Sequence, residues 1–162
     1  MPVVQNGEPG GGMTMKRLWL VLMALWATAA SAEVLDIKIY DAFGQSYQSV
    51  NIGARLASIY NISFDPTMVI ILGPTLADER VREQEKIAAG IDPEEHGILF
   101  AIGTPSQTYS RGFSLAPNTA AELMPNADAF RVLVLGANGT VLSRSGSVMS
   151  RERLLSIAAD QQ

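Results

Sequence analysis

Four side chains, Thr75, Tyr109, Arg111 and Arg131, carry the hydroxyl, phenol and guanidinium groups with which this sequence could hold a ligand. The usual catalytic donors are scarce around them. The 162 residues include no cysteine and a single histidine, His96, so thiol chemistry is excluded outright. His96 stands between Glu94-Glu95 and an apolar run and reads as a solvated loop residue. A metal would need further histidine or cysteine ligands, and the regular carboxylate spacing of a calcium loop is absent. The adjacent pairs Asp78-Glu79 and Glu94-Glu95 supply acids, but neighbours on a helix point apart and cannot flank one bond. No Gly-x-Ser-x-Gly elbow occurs, which leaves serine hydrolysis without its nucleophile. No catalytic residue and no cofactor is implied.

The elements that must position these groups are easier to read. Phe130 to Arg144 forms two apolar, β-branched stretches about Asn138-Gly139, a dipeptide suited to a tight type I′ hairpin turn. Val34 to Tyr40 alternates, with Leu35, Ile37 and Ile39 on one side, as a half-buried strand does. Asp41 to Ser49 has the composition of a turn. Ile52, Leu56, Ile59 and Tyr60 then fall on one stripe of a short helix that Asn61 stops. Met68 to Leu72 is an unbroken apolar run, the pattern of a central strand buried on both faces. Thr75 followed by Asp78 resembles a capping box, and the spacing predicts a helix from about Leu76 to Ala89, with Gly90 beyond its end. Ile98 to Ile102 reads as a strand parallel to Met68–Leu72 through a right-handed crossover. Gly103 to Pro117 is a long Ser/Thr/Gly/Pro-rich loop carrying Tyr109 and Arg111. A short helix follows over Thr119 to Met124. Ser150 caps a last helix whose Leu154, Ile157 and Ala158 form the buried face.

The front of the chain is an address. Lys16 and Arg17 precede the apolar run Leu18 to Ala30, and Ala30-Ser31-Ala32 is a small-x-small site, the three zones of a secretory signal peptide. The run is some 13 residues where a membrane span needs about 20. Residues 1–14 read as a non-native or mis-assigned start, 15–32 as a signal peptide cleaved after Ala32, and 33–162 as one domain, periplasmic or secreted from a bacterium. Setting aside Glu8, Lys16 and Arg17 from the 12 basic and 16 acidic residues leaves 10 and 15, a net charge of −5, which argues against a nucleic-acid partner. After cleavage no stable membrane insertion is expected. A chain of this length buries a sufficient core without disulfides.

The predicted order, β-α-β-α-β-α-β-β-α, is that of the thioredoxin fold: a central mixed sheet with a C-terminal β-hairpin and a closing helix. Val132-Leu133-Val134-Leu135, Asn138-Gly139-Thr140-Val141, Gly146 and Ser150 to Leu155 look like the terminal hairpin, glycine and capped helix of thioredoxins. From about Met68 onward the chain also resembles a little-characterised exported bacterial family related to the DUDES domains. Its Phe-x-x-Leu-x-Gly-x-x-Gly hairpin is met, with looser spacing, by Phe130, Leu133, Leu135, Gly136 and Gly139. Two departures stand out: Gly73-Pro74-Thr75-Leu76 occupies the turn where thioredoxins carry their two cysteines, and the proline thioredoxins keep before the hairpin is replaced by Asp128-Ala129-Phe130-Arg131. The Met-Pro-Met-Arg tail common in the exported family is also missing.

That fold would bring the Pro74-Thr75 turn, the Gly103–Pro117 loop and Phe130-Arg131 to one end of the sheet. Free amides at the start of the Thr75 helix, with Arg111 or Arg131 nearby, would then suit a small anion. The resemblance therefore implies an exported, redox-inactive, thioredoxin-like domain that acts by binding a small ligand or an envelope protein. The alternatives are a cysteine-independent enzyme using Thr75, Tyr109 and Arg111, and a structural or partner-docking protein of the envelope.

Overall fold

The structure, a computed structural model, describes residues 32–162. The signal peptide and the start ahead of it were expected over residues that, apart from Ala32, lie outside the described ones. The elements are β1 (Lys38–Tyr40), β2 (Ser46–Gln48), α1 (Ile52–Ile59), β3 (Thr67–Leu72), α2 (Glu79–Ala89), α3 (Pro93–His96), β4 (Ile98–Gly103), β5 (Phe113–Leu115), α4 (Pro117–Leu123), β6 (Arg131–Leu135), β7 (Val141–Ser145) and α5 (Arg151–Ala159).

Seven strands form one mixed sheet in the order β2-β1-β5-β4-β3-β6-β7, in which β3, β4 and β5 run parallel and the remaining pairings are antiparallel. All six residues of β3 are buried, as an unbroken apolar run predicts for a strand covered on both faces. Its side chains divide by parity. Met68, Ile70 and Leu72 join a core under α1 and α4 with Ile52, Leu56, Leu133 and Leu135, whereas Val69 and Ile71 join a second under α2 and α5 with Val81, Val132, Val134 and Leu154. The sheet is thus sandwiched between two helical layers, and the period of two in β3 and β6 keeps both cores filled.

The expected mixed sheet, C-terminal hairpin and closing helix are present, and four details differ. First, β1 is only three residues long, because Leu35 turns away to donate its N–H to Gly139 O at 3.0 Å. Second, the turn-like Asp41–Ser49 stretch contains β2, folded back on β1 about Gly44 at φ 82°. Third, the predicted Gly103–Pro117 loop contains β5, which pairs with β4 through Ala101 and Ile102. Fourth, the hairpin turn is not type I′. Gly139 N donates to Gly136 O at 3.0 Å, so Ala137 and Asn138 are the central residues and only Gly139 takes positive φ, 80°. A register shift beside Val134 and Leu135 absorbs the longer connection.

Candidate functional site

The turn after β3 is the first place to look, because a strand-to-helix turn offers free amides at the positive end of a helix dipole. Thr75 does not cap α2. Its carbonyl accepts from Asp78 N at 3.3 Å, and the helix starts one turn later than predicted, at Glu79, with Asp78 as N-cap. Asp78 Oδ1 accepts from Arg80 N at 3.0 Å. Arg80 then folds back on the same carboxylate through Nε at 3.0 Å and Nη2 at 2.7 Å, reaches Asp128 O, and lies 5.5 Å over the Phe130 ring. The bonds from Arg80 hold the Asp78 carboxyl below the usual carboxylate range. The terminus of α2 is therefore occupied by the chain's own anion, itself neutralised by the chain's own cation. Thr75 stays exposed beside it. Arg131, paired with Leu72 across the sheet, donates Nη1 to Leu123 O at 2.9 Å and so ties β6 to the end of α4.

Tyr109 and Arg111 meet elsewhere, on a residue that sequence reasoning missed. Glu85, partly buried on the flank of α2, accepts the Tyr109 hydroxyl at 2.9 Å and Arg111 Nη2 at 3.0 Å, both on Oε1. The Arg111 guanidinium lies 5.5 Å over the Tyr109 ring. Tyr109 is only 6% exposed, and burial, reinforced by the bond to anionic Glu85, pushes its phenol up to about 12. Glu85 lies in a run of charged helix residues, where the sequence pattern separates no member from a solvated neighbour.

The four predicted residues thus do not form one site: Tyr109 and Arg111 meet on Glu85, and Thr75 and Arg131 lie apart from them. Phe113 pairs with Ala101 in a parallel register, so Arg111 stands level with the beginning of β4, whereas Thr75 and Arg131 cluster at the C-terminal end of β3. The missed strand is the reason: a loop could have stayed at one end, but a parallel strand has to begin at the other. His96 closes α3, partly exposed, with Nε2 3.5 Å from Glu95 Oε1. Among the described residues no group of three or more acidic or histidine side chains could hold a metal ion.

The surface around Arg111 has shape. Two open grooves adjoin along Arg111-Gly112-Phe113. One, of about 230 Å³, is lined by Asp41, Phe43, Tyr47, Ile59 and Tyr60, and the other, of about 260 Å³, by Tyr60, Ile91, Leu99 and Phe100. Tyr60 and Phe113 form the ridge they share, with ring centroids 6.3 Å apart.

No family model matches the sequence, and no curated protein does. Solved structures do match. Copper-bound Sco1 from yeast aligns at 9% identity with a TM-score of 0.51, over 82% of this chain and 93% of its own. Copper-bound ScoI from Arabidopsis thaliana aligns at 10% and 0.50, over 79% and 96%. Reduced 2-Cys peroxiredoxin from Plasmodium vivax aligns at 11% and 0.50, over 80% and 92%. The fold is thioredoxin-like. At such identities the likeness carries the fold alone, and copper and paired cysteines are attributes of those neighbours. On this thioredoxin-like frame, Gly73 leaves β3 where any side chain would strike Val81, and the turn it opens holds Pro74 and Thr75.

Proposed function

We propose that this chain is an exported, redox-inactive thioredoxin-like domain that acts by binding a protein of the cell envelope. The observation that carries the reading is the turn after β3, which holds no thiol in a chain without cysteine and whose helix terminus is closed by Asp78 and Arg80. A small anion placed there would have to displace a carboxylate already holding Arg80 N and the Arg80 guanidinium. A protein surface needs no such exchange. It could contact exposed Thr75, half-buried Arg131 and the neighbouring loop without opening the ion pair. Export is supported by the ordered zones of residues 16–32 and by a fold that starts at once behind them: Glu33 O accepts from Val141 N at 2.8 Å.

Expression in a Gram-negative host, with intact mass measured on the periplasmic fraction and cross-linking in place, tests the proposal. The expected result is a chain beginning at Glu33 that cross-links to a distinct envelope protein from a photoreactive residue at position 75. A chain that kept Trp19 and Trp26 would overturn the export reading. Reproducible substrate turnover by the purified protein, abolished by Arg111→Ala, would overturn the binding reading in favour of a cysteine-independent enzyme.

A further inference from the structure

The turn between β1 and β2 holds out a phenylalanine. Phe43 is 96% exposed, and Ile59 on α1, which lines the same groove, is 53% exposed. The turn that carries Phe43 is well tied. Asp41 Oδ1 accepts from the N–H groups of Phe43 and Gln45, each at 2.9 Å, the Tyr47 hydroxyl donates to Asp41 Oδ2 at 2.9 Å, and Gly44 supplies the positive φ. A bare aromatic ring on a braced turn, beside a second exposed aliphatic side chain, is a patch that water solvates poorly and a partner can cover.

The geometry points to a second copy of this chain as that partner. A projecting ring and an open apolar groove lie next to each other on one surface, so the surface is complementary to itself. Under a two-fold axis, Phe43 of each copy enters the groove of the other, onto Tyr60, Leu99, Phe100 and Phe113. Charge agrees with shape. Asp41 stands two residues before Phe43; desolvation raises its carboxyl, but the bonds from Tyr47, Gln45 and Phe43 together outweigh it and hold the group below the usual range. Arg111 lies in the groove, 74% exposed, with only Nη2 engaged by Glu85. The axis that seats Phe43 brings each Asp41 toward the other copy's Arg111, giving two symmetric ion pairs at the rim of an aromatic contact. Both grooves are open surface depressions, which suits a protein side chain better than a small molecule that needs burial on most sides. This inference needs only the fold, so it stands or falls independently of the proposed envelope partner at the opposite end of the sheet.

Sedimentation velocity of the chain from Glu33 onward, which contains every element described above, tests it across a concentration series. The expected result is a monomer–dimer equilibrium. Phe43→Ser, at a position that packs on nothing inside the fold, is expected to weaken association at least about tenfold. Asp41→Asn keeps the oxygen that braces the turn while removing the charge, and Arg111→Gln removes the cation. Each is expected to weaken association severalfold, and the double variant no more than either alone, since each deletes the same pair. A protein that stays monomeric at about 1 mM, well above the range of specific association, overturns the inference. So does a dimer indifferent to Phe43→Ser, or additive losses in the charge cycle. A monomer whose Phe43 and Phe113 resonances shift instead on adding another protein would give the surface to that protein and overturn self-association.

Discussion

Thr75 and Asp78 could both cap the same helix, and the carboxylate does so because it alone can also accept a guanidinium. A threonine hydroxyl at that position would leave Arg80 free and the Phe130 ring uncovered, so three residues that look unrelated in the sequence settle the boundary together. Tyr109 is the residue whose surroundings make the sharpest demand. Its phenol is buried against anionic Glu85, and the neutral form is the one the fold accepts. Below about pH 10 the group is protonated both folded and unfolded, and its contribution to stability is whole. Between 10 and about 12 the unfolded chain loses the proton and the native one keeps it, so stability falls as pH rises through that window. The urea midpoint of the wild type is therefore expected to drop between pH 10 and 12 more steeply than that of Tyr109→Phe. At neutral pH the variant should be less stable by about 1.5–3 kcal/mol, the worth of one bond to a charged acceptor. An equal slope in both proteins would contradict the placement of this phenol. Tyr109 and Arg111 could be picked from the sequence as chemically able, but Glu85, which joins them, could not. Its neighbours Glu83 and Lys86 give the same polar signal, and only the return of the β4–β5 connection across α2 distinguishes it.

At the scale of elements, legibility followed length. β3 and β6 contain runs of five and four buried apolar residues, and the hairpin, α1 and α5 carried enough period and capping signal to be placed within a few residues. β2 and β5 are three residues each. Phe113-Ser114-Leu115, set between Gly112 and Pro117, is too short for a period of two to stand out from a loop, although all three residues are buried. That omission misplaced Arg111. The docking of α2 against the approach to α5 was equally hidden. Gln84 is wholly buried, its Oε1 accepting from Met149 N at 2.6 Å and its Nε2 donating to Met149 O at 3.2 Å. A glutamine in a charged helix reads as surface, yet here its amide completes the backbone of the chain ahead of α5. Gln84→Leu removes both bonds and leaves two backbone groups unpaired, at a cost of about 2–4 kcal/mol in chemical denaturation. Gln84→Glu offers a finer measurement. The ionised side chain has no donor for Met149 O, whereas the protonated acid has one. This variant should recover stability relative to the wild type as pH falls from 8 to about 5, where a buried, raised glutamic acid takes up its proton. If it loses stability in that direction, the amide is not bonded as described.

Over the whole molecule, the tip of the β6–β7 hairpin is where the N-terminal segment and α1 are tied to the sheet. Leu35 N donates to Gly139 O at 3.0 Å, Val141 N to Glu33 O at 2.8 Å, and Gly53 N at the start of α1 to Ala137 O at 3.2 Å. Glu33 and Arg144 add an ion pair across the same junction. The segment before β1 is thus held by a loop more than 100 residues later, and α1 rests on the same loop. Gly139 is the position that all of this tolerates least. Its φ is 80°, and a Cβ there would stand 2.7 Å from Leu35 O and 3.1 Å from Val50 Cγ1. Gly139→Val therefore combines the roughly 1–2 kcal/mol strain of a left-handed β-branched residue with displacement of the N-terminal segment. At about 2–8 °C per kcal/mol over the relevant range of domain sizes, the melting temperature should fall by about 5 °C or more. The amides of Leu35 and Val141 should lose hydrogen-exchange protection at the same time, since both bonds cross the displaced junction. Gly112→Val is the control. There the added carbon meets only the edge of the Tyr109 ring, at 3.3 Å, and φ is not positive. Its loss should be smaller, with Leu35 and Val141 still protected. Equal losses at the two positions, or unchanged exchange at Leu35 in Gly139→Val, would mean that the hairpin tip does not hold the N-terminal segment in place.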